Sequence, residues 1–189
     1  MKHNLLIIVS GIFMSLSLQA SYENNQNTES NLIVFLMQNN KILLQKKADN
    51  QWATPSSYCG EGGTPRNIAL DLINETQLGI TRLYVIHDNE LPANYDGIRP
   101  LRETMPPTYY AAKVENLTEW SWSATYKNFK NRMLLMMNDW QSFEESNIPE
   151  NCGNRQYLNK DIIVAALVSY KKGRCSKASM KPQYNPWDK

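Results

Sequence analysis

Residues Trp52 to Ile80 read WATPSSYCGEGGTPRNIALDLINETQLGI. An aromatic residue and a proline lead into a glycine-rich turn, and an amphipathic helix follows. Thr64 stands where a helix cap belongs, and Pro65 suits the first helical turn because its missing N–H is not needed there. Ile68, Ala69, Leu72, Ile73 and Thr76 recur at helical spacing and form an inner face. Gly79 closes the helix. A loop feeding a one-sided helix needs a sheet to pack on, and the flanking sequence supplies it.

Upstream, Asn31 to Gln38 (NLIVFLMQ) is a continuous apolar run, as expected of a strand buried on both faces. Asn39-Asn40 signals a tight turn, and KILLQKK continues as a second strand. Ala48 to Gly63 reads as loop. Downstream, strands are expected at Ile80–Asp88, Thr108–Glu115 and Arg132–Trp140, with a long loop over Asn89–Pro107. Asn116 to Lys130 is irregular and carries Trp120, Trp122, Tyr126 and Phe129. A short helix is expected to begin within Ser142–Ser146, and Leu158–Lys172 is a helix with Asn159 or Asp161 near its start and lysines at its end. The order β-β-α-β-β-β-α-α argues an α/β fold, a mixed sheet with helices on its faces.

The chain has 189 residues and opens MKHNLLIIVSGIFMSLSLQA. A short basic start, an apolar run and a polar stretch after Ala20 have the order of a secretory signal peptide. The run is shorter than the roughly 20 apolar residues of a spanning helix, so export to the periplasm or medium is expected rather than anchoring. No membrane attachment is expected after cleavage. The expected divisions are a leader at 1–20, a flexible lead-in at 21–30, one domain at 31–175 and a basic tail at 176–189. Of 20 Lys and Arg, Lys2 leaves with the leader, so 19 stand against 18 acids. A nearly neutral chain gives no argument for nucleic acid as a partner. Cys59, Cys152 and Cys175 can oxidise in an exported protein. Three cysteines allow three single pairings. A Cys152–Cys175 bridge is expected because the two bracket the last helix, leaving Cys59 as a small buried thiol.

Three pieces of the chain, in order and spacing, resemble the Nudix hydrolase family. NLIVFLMQNNKILLQKKADNQWATP resembles its opening hairpin, and GGTPRNIALDLINETQL resembles the Nudix box, G-x5-E-x7-R-E-U-x-E-E-x-G-U with U apolar. Trp140 to Glu145 (WQSFEE) resembles the "WxSxEE" junction near the family's end. With Leu72 and Leu78 on the apolar positions, Leu70 stands where the box has Arg, Asp71 replaces the first Glu and Asn74 the second. Glu75 keeps the third, and Gln77 replaces Gly. Gly62 or Gly63 occupies the place of the isolated upstream Glu, with Glu61 nearby and out of step.

Hydrolysis of a diphosphate needs divalent cations to neutralise phosphate oxygens and activate water. Mg²⁺ asks for hard oxygen ligands. Asp71, Asn74 and Glu75 lie at helical spacing on one face and are the metal-ligand candidates, with Asp71 and Glu75 the catalytic ones. Two carboxylates and an amide hold one Mg²⁺ weakly. Trp52 and Glu61 are the ligand-binding candidates, Trp52 competing with a packing role and Glu61 with that of an ordinary loop acid. The resemblance implies a Nudix-like mixed β-sheet sandwiched between helices. It also implies a nucleotide or pyrophosphate ligand. With the box depleted, a ligand-binding or pseudoenzyme domain is the leading expectation. A divergent metal-dependent hydrolase of nucleoside diphosphate-linked or other pyrophosphate substrates is the alternative.

Overall fold

The structure is a computed structural model, and it describes residues 30–60, 62–92, 107–115, 139–152 and 158–183. The leader, Glu61, most of the Asn89–Pro107 loop, the aromatic stretch Asn116–Lys130, the segment Arg132–Asn138 and the last six residues lie outside the described residues. The protein is a mixed α/β fold built on one eight-stranded sheet.

The apolar run forms strand β1 (Leu32–Gln38), and it occupies the middle of the sheet. Leu32, Val34 and Leu36 point to one face, and Ile33, Phe35 and Met37 to the other. Strand β2 (Lys41–Lys46) pairs antiparallel with it through a turn in which Asn39 and Asn40 have φ of 51° and 60°. That left-handed pair is what a two-residue hairpin turn requires, and Asn tolerates it.

Two short strands interrupt the expected loop. β3 (Trp52–Ala53) pairs with β2, and β4 (Ser56–Ser57) pairs with β1. Helix α1 (Pro65–Glu75) follows. Thr64 is its N-cap residue, but its side chain makes no capping hydrogen bond, contrary to expectation. Ala69, Leu70, Leu72 and Ile73 are the buried residues of α1, so Leu70 joins the inner face and half-buried Thr76 does not.

Strand β5 (Ile80–Ile86) is antiparallel to β6 (Thr108–Val114), and β6 runs parallel to β1. A bulge between Ile80 and Arg82 resets the alternation of β5. Ile80 therefore packs with the α1 layer, while Tyr84 and Ile86 face the other layer.

Strand β7 (Trp140–Phe143) pairs with β2, and a 3-10 turn over Glu145–Asn147 follows. The helix expected from Ser142 is thus a strand and one tight turn. Four ladder pairs to β2 hold Trp140 to Phe143 extended. Helix α2 (Lys160–Lys171) is capped by Asn159, whose side chain accepts from the Ile162 N–H at 3.0 Å. Strand β8 (Ser176–Ala178) closes the far edge against β5, so the segment read as a tail begins as sheet.

The sheet order is β3-β2-β1-β6-β5-β8, with β4 on β1 and β7 on β2. α1 covers one face over Leu32, Val34, Leu36, Leu83 and Tyr110. α2 covers the other over Ile33, Phe35, Ile42, Leu44 and Ile86. Among the described residues no helix is long and apolar enough to cross a membrane.

The expected Cys152–Cys175 bridge is not formed, and all three cysteines are free thiols. Cys152 lies near Lys160 and Asp161 in the first turn of α2, and its thiol donates to the Pro149 carbonyl at 2.8 Å. Cys175 contacts Ser169, near the helix's other end, at 3.6 Å. A twelve-residue helix is about 18 Å long, and a disulfide needs Cα atoms closer than about 7 Å. The helix that the pair was expected to bracket holds the two thiols apart.

Candidate functional site

The sequence bearing the box resemblance adopts a loop and a helix. α1 stops at Glu75, Thr76 is its C-cap, and Gln77 has φ of 58°. A left-handed residue just past a helix end is normally Gly, and Gln77 stands at the box's Gly. Leu78, at the final apolar position, is buried. A residue other than Gly in this conformation costs about 1–2 kcal/mol. Gln77→Gly is therefore expected to raise the unfolding free energy by roughly 0.5–1 kcal/mol, after the added freedom of the unfolded chain is deducted. An unchanged or lower urea midpoint would remove this support for the register.

The loop ahead of the helix is pinned to β1. Asn31 is buried and clamps Cys59 from both sides. Its side chain accepts from the Cys59 N–H at 2.6 Å and donates to the Cys59 carbonyl at 3.0 Å. Val34 N–H donates to the Pro55 carbonyl at 2.9 Å, and the Thr54 hydroxyl donates to the Val34 carbonyl. The Cys59 thiol is buried, and burial pushes its pKa up, which suits a packing residue and not a nucleophile. A Cβ on Gly63 would lie 3.1 Å from the Gly60 carbonyl oxygen and 3.2 Å from the Cys59 sulfur. The loop is thus packed for Gly63, while at Gly62, where the register counts the box's upstream Glu, a Cβ would meet nothing within 4 Å and only the φ of 82° favours glycine. Glu61 itself lies outside the described residues.

Asp71, Asn74 and Glu75 are all exposed on the outer side of α1. Burial of part of its carboxyl, and then the Asp71 carboxylate four residues back, push the Glu75 pKa above its ordinary value. The influence of Asp71 on Glu75 agrees with the two acids sharing one face, as their spacing requires. Leu70, at the box's Arg, is buried in the α1 layer, so that position holds no cation. Two carboxylates and one carboxamide fit a single weakly held Mg²⁺. Among the described residues no group of three or more acid, histidine or cysteine side chains converges.

A groove of about 370 Å³ runs beside these residues. Leu70, Asp71, Asn74 and Ile80 form one side, with Met180 and Pro182 on the other. Asn67 holds the second wall in place by a reciprocal pair. Its amide donates to the Gln183 carbonyl at 2.8 Å, and its carbonyl accepts from the Gln183 N–H at 2.7 Å. Nothing in the sequence flags this wall, because the two partners are 116 residues apart.

Trp52 does not join the acids. It packs edge-on against Phe143, with ring centroids 4.8 Å apart, on the α2 face of the sheet. Its backbone N–H donates to the Asn151 carbonyl at 3.1 Å. The packing role therefore prevails, and the site that sequence drew from Trp52 and α1 is split across the sheet. Glu144 and Glu145 also lie away from α1. They line a depression of about 610 Å³ at the β1–β2 turn, where Glu144 pairs with Lys41 at 2.9 Å and Glu145 with Lys171 at 3.7 Å. The Lys41 hydrogen bond and charge hold the Glu144 carboxyl below its ordinary pKa, so it stays an ionised partner and a poor proton carrier. His87 bonds the Ser176 hydroxyl at 2.7 Å and ties β5 to β8.

Fold and site together define a mixed α/β protein with an acid-bearing helix on one sheet face. No family model matches the chain. No curated protein matches it. Among solved structures, the chain is similar to the crystal structure of a UDP-X diphosphatase. The two share 16% sequence identity with a TM-score of 0.44, over 85% of this chain and 72% of that one.

Proposed function

We propose that the protein is an exported, Nudix-like ligand-binding domain that does not hydrolyse its ligand efficiently. The observation that carries the reading is the composition of α1. In a register supported by the left-handed Gln77, the exposed face offers Asp71, Asn74 and Glu75, and Leu70 is buried at the position of the orienting Arg. The ligand class is a nucleotide or another pyrophosphate, from the family resemblance alone. Export follows from the order of the first twenty residues. A divergent hydrolase is the second reading, favoured by the proximity of the Asp71 and Glu75 carboxylates.

Mature protein is to be screened against a broad nucleotide panel with Mg²⁺ and Mn²⁺, following both binding and phosphate release. Binding without turnover is expected. Mg²⁺ affinity alone is expected in the millimolar range or weaker, rising with pH as Glu75 loses its proton. Metal-dependent turnover that drops a hundredfold in Glu75→Ala, with the fold intact, would establish the hydrolase. Neither binding nor turnover across the panel would sink both readings.

A further inference from the structure

The bulge in β5 turns Arg82 onto the α2 side of the sheet, where it stands directly opposite Lys113 of β6. Lys113 is also in register with Met37, which belongs to the α2-side core and fixes its face independently. On the other flank of β5, Lys177 of β8 is opposite Tyr84, and so diagonal to Arg82 on the same face. All three cations are exposed. Like charges directly opposed across an antiparallel pair are destabilising. The four ion pairs among the described residues use Lys41, Lys160, Lys171 and Arg174, so none relieves this trio. Half-buried Glu115, two residues beyond Lys113, is the acid next to it along β6.

We propose that Arg82, Lys113 and Lys177 form a metal-independent binding site for a phosphoanion. Opposed residues on neighbouring strands have Cβ atoms about 4.5–5.5 Å apart, close enough for two long cationic side chains to converge on one oxyanion. The Arg82 guanidinium can engage one group with two parallel N–H donors, and the lysines add point charges. The floor is rigid, since Tyr84 is held edge-on by Tyr170 of α2 at 5.6 Å. A bound anion removes the repulsion between Arg82 and Lys113, which gives the unfavourable register a use. The site lies across the sheet from Asp71 and Glu75 and does not depend on the reading of α1.

The test is calorimetric titration of full mature protein with inorganic pyrophosphate in EDTA at low salt. Sub-millimolar binding is expected, weakening as salt rises. Arg82→Ala/Lys113→Ala is expected to lose at least tenfold in affinity, while Lys172→Ala retains it. Without ligand the double variant is expected to melt no lower than the parent, because exposed repelling charges are removed. No binding in EDTA, or an equal loss in Lys172→Ala, would overturn the site. Binding of a polyanion such as heparin with no pyrophosphate binding would also overturn it.

Discussion

Phe35→Ala is expected to reduce the unfolding free energy by about 3–5 kcal/mol, the range for emptying a buried aromatic site. Phe35 has no exposed surface and sits in the central strand, in register with Ala111 of β6. Its ring lies parallel to that of Tyr109, with centroids 6.2 Å apart, in the core beneath α2. Neighbours anchored in a ladder cannot collapse into the space left behind, which puts the loss toward the upper end. For a domain of this size the melting temperature falls by roughly 2–4 °C per kcal/mol. Urea unfolding followed by fluorescence and circular dichroism checks it. A loss under about 1 kcal/mol with an unchanged slope would mean that the core is not packed as described.

Asn31→Leu comes next in expected size. It keeps the side chain's branched outline but leaves the N–H and carbonyl of Cys59 without their partner in a buried place. Each unsatisfied buried group costs about 1–3 kcal/mol, so a total of roughly 2–5 kcal/mol is expected. The damage is also local. Amide exchange over Cys59–Thr64 should accelerate more than exchange in β6. Uniform acceleration across the sheet would show that Asn31 supports the whole core and not the loop in particular.

Asn31 illustrates which parts of this protein were legible in the sequence. Where one element's own residues decide its state, the reading was close. β1, β2, α1, β5, β6 and α2 follow from apolar period, the Asn39-Asn40 turn, Pro65 and Asn159. Elements held by distant partners were missed. β3 and β4 are two residues each, too short to show a period, and exist through their pairing with β2 and β1. Trp140–Phe143 shows an exposed pair between two aromatics, and its strand state comes from β2. β8 carries a lysine and little apolar surface, and edge pairing with β5 makes it a strand. At the site, spacing correctly placed Asp71, Asn74 and Glu75 on the exposed side of α1. It could not tell which sheet face Trp52 would join, because that depends on how β3 and β7 both stack on β2.

The parallel pairing of β1 with β6 has a consequence for the order of events during synthesis. β1 leaves the ribosome early with a row of apolar side chains on both faces, and β2 can cover only one of its edges. The partner for its other edge is not made until Thr108–Val114 emerges. Bringing the two together closes a long loop, which carries an entropic penalty before any contact rewards it. Parallel pairing of this kind is intrinsically slow and leaves intermediates exposed to aggregation. The sheet's centre cannot assemble until that strand has been made, so the early half of the domain waits on the later half for its core.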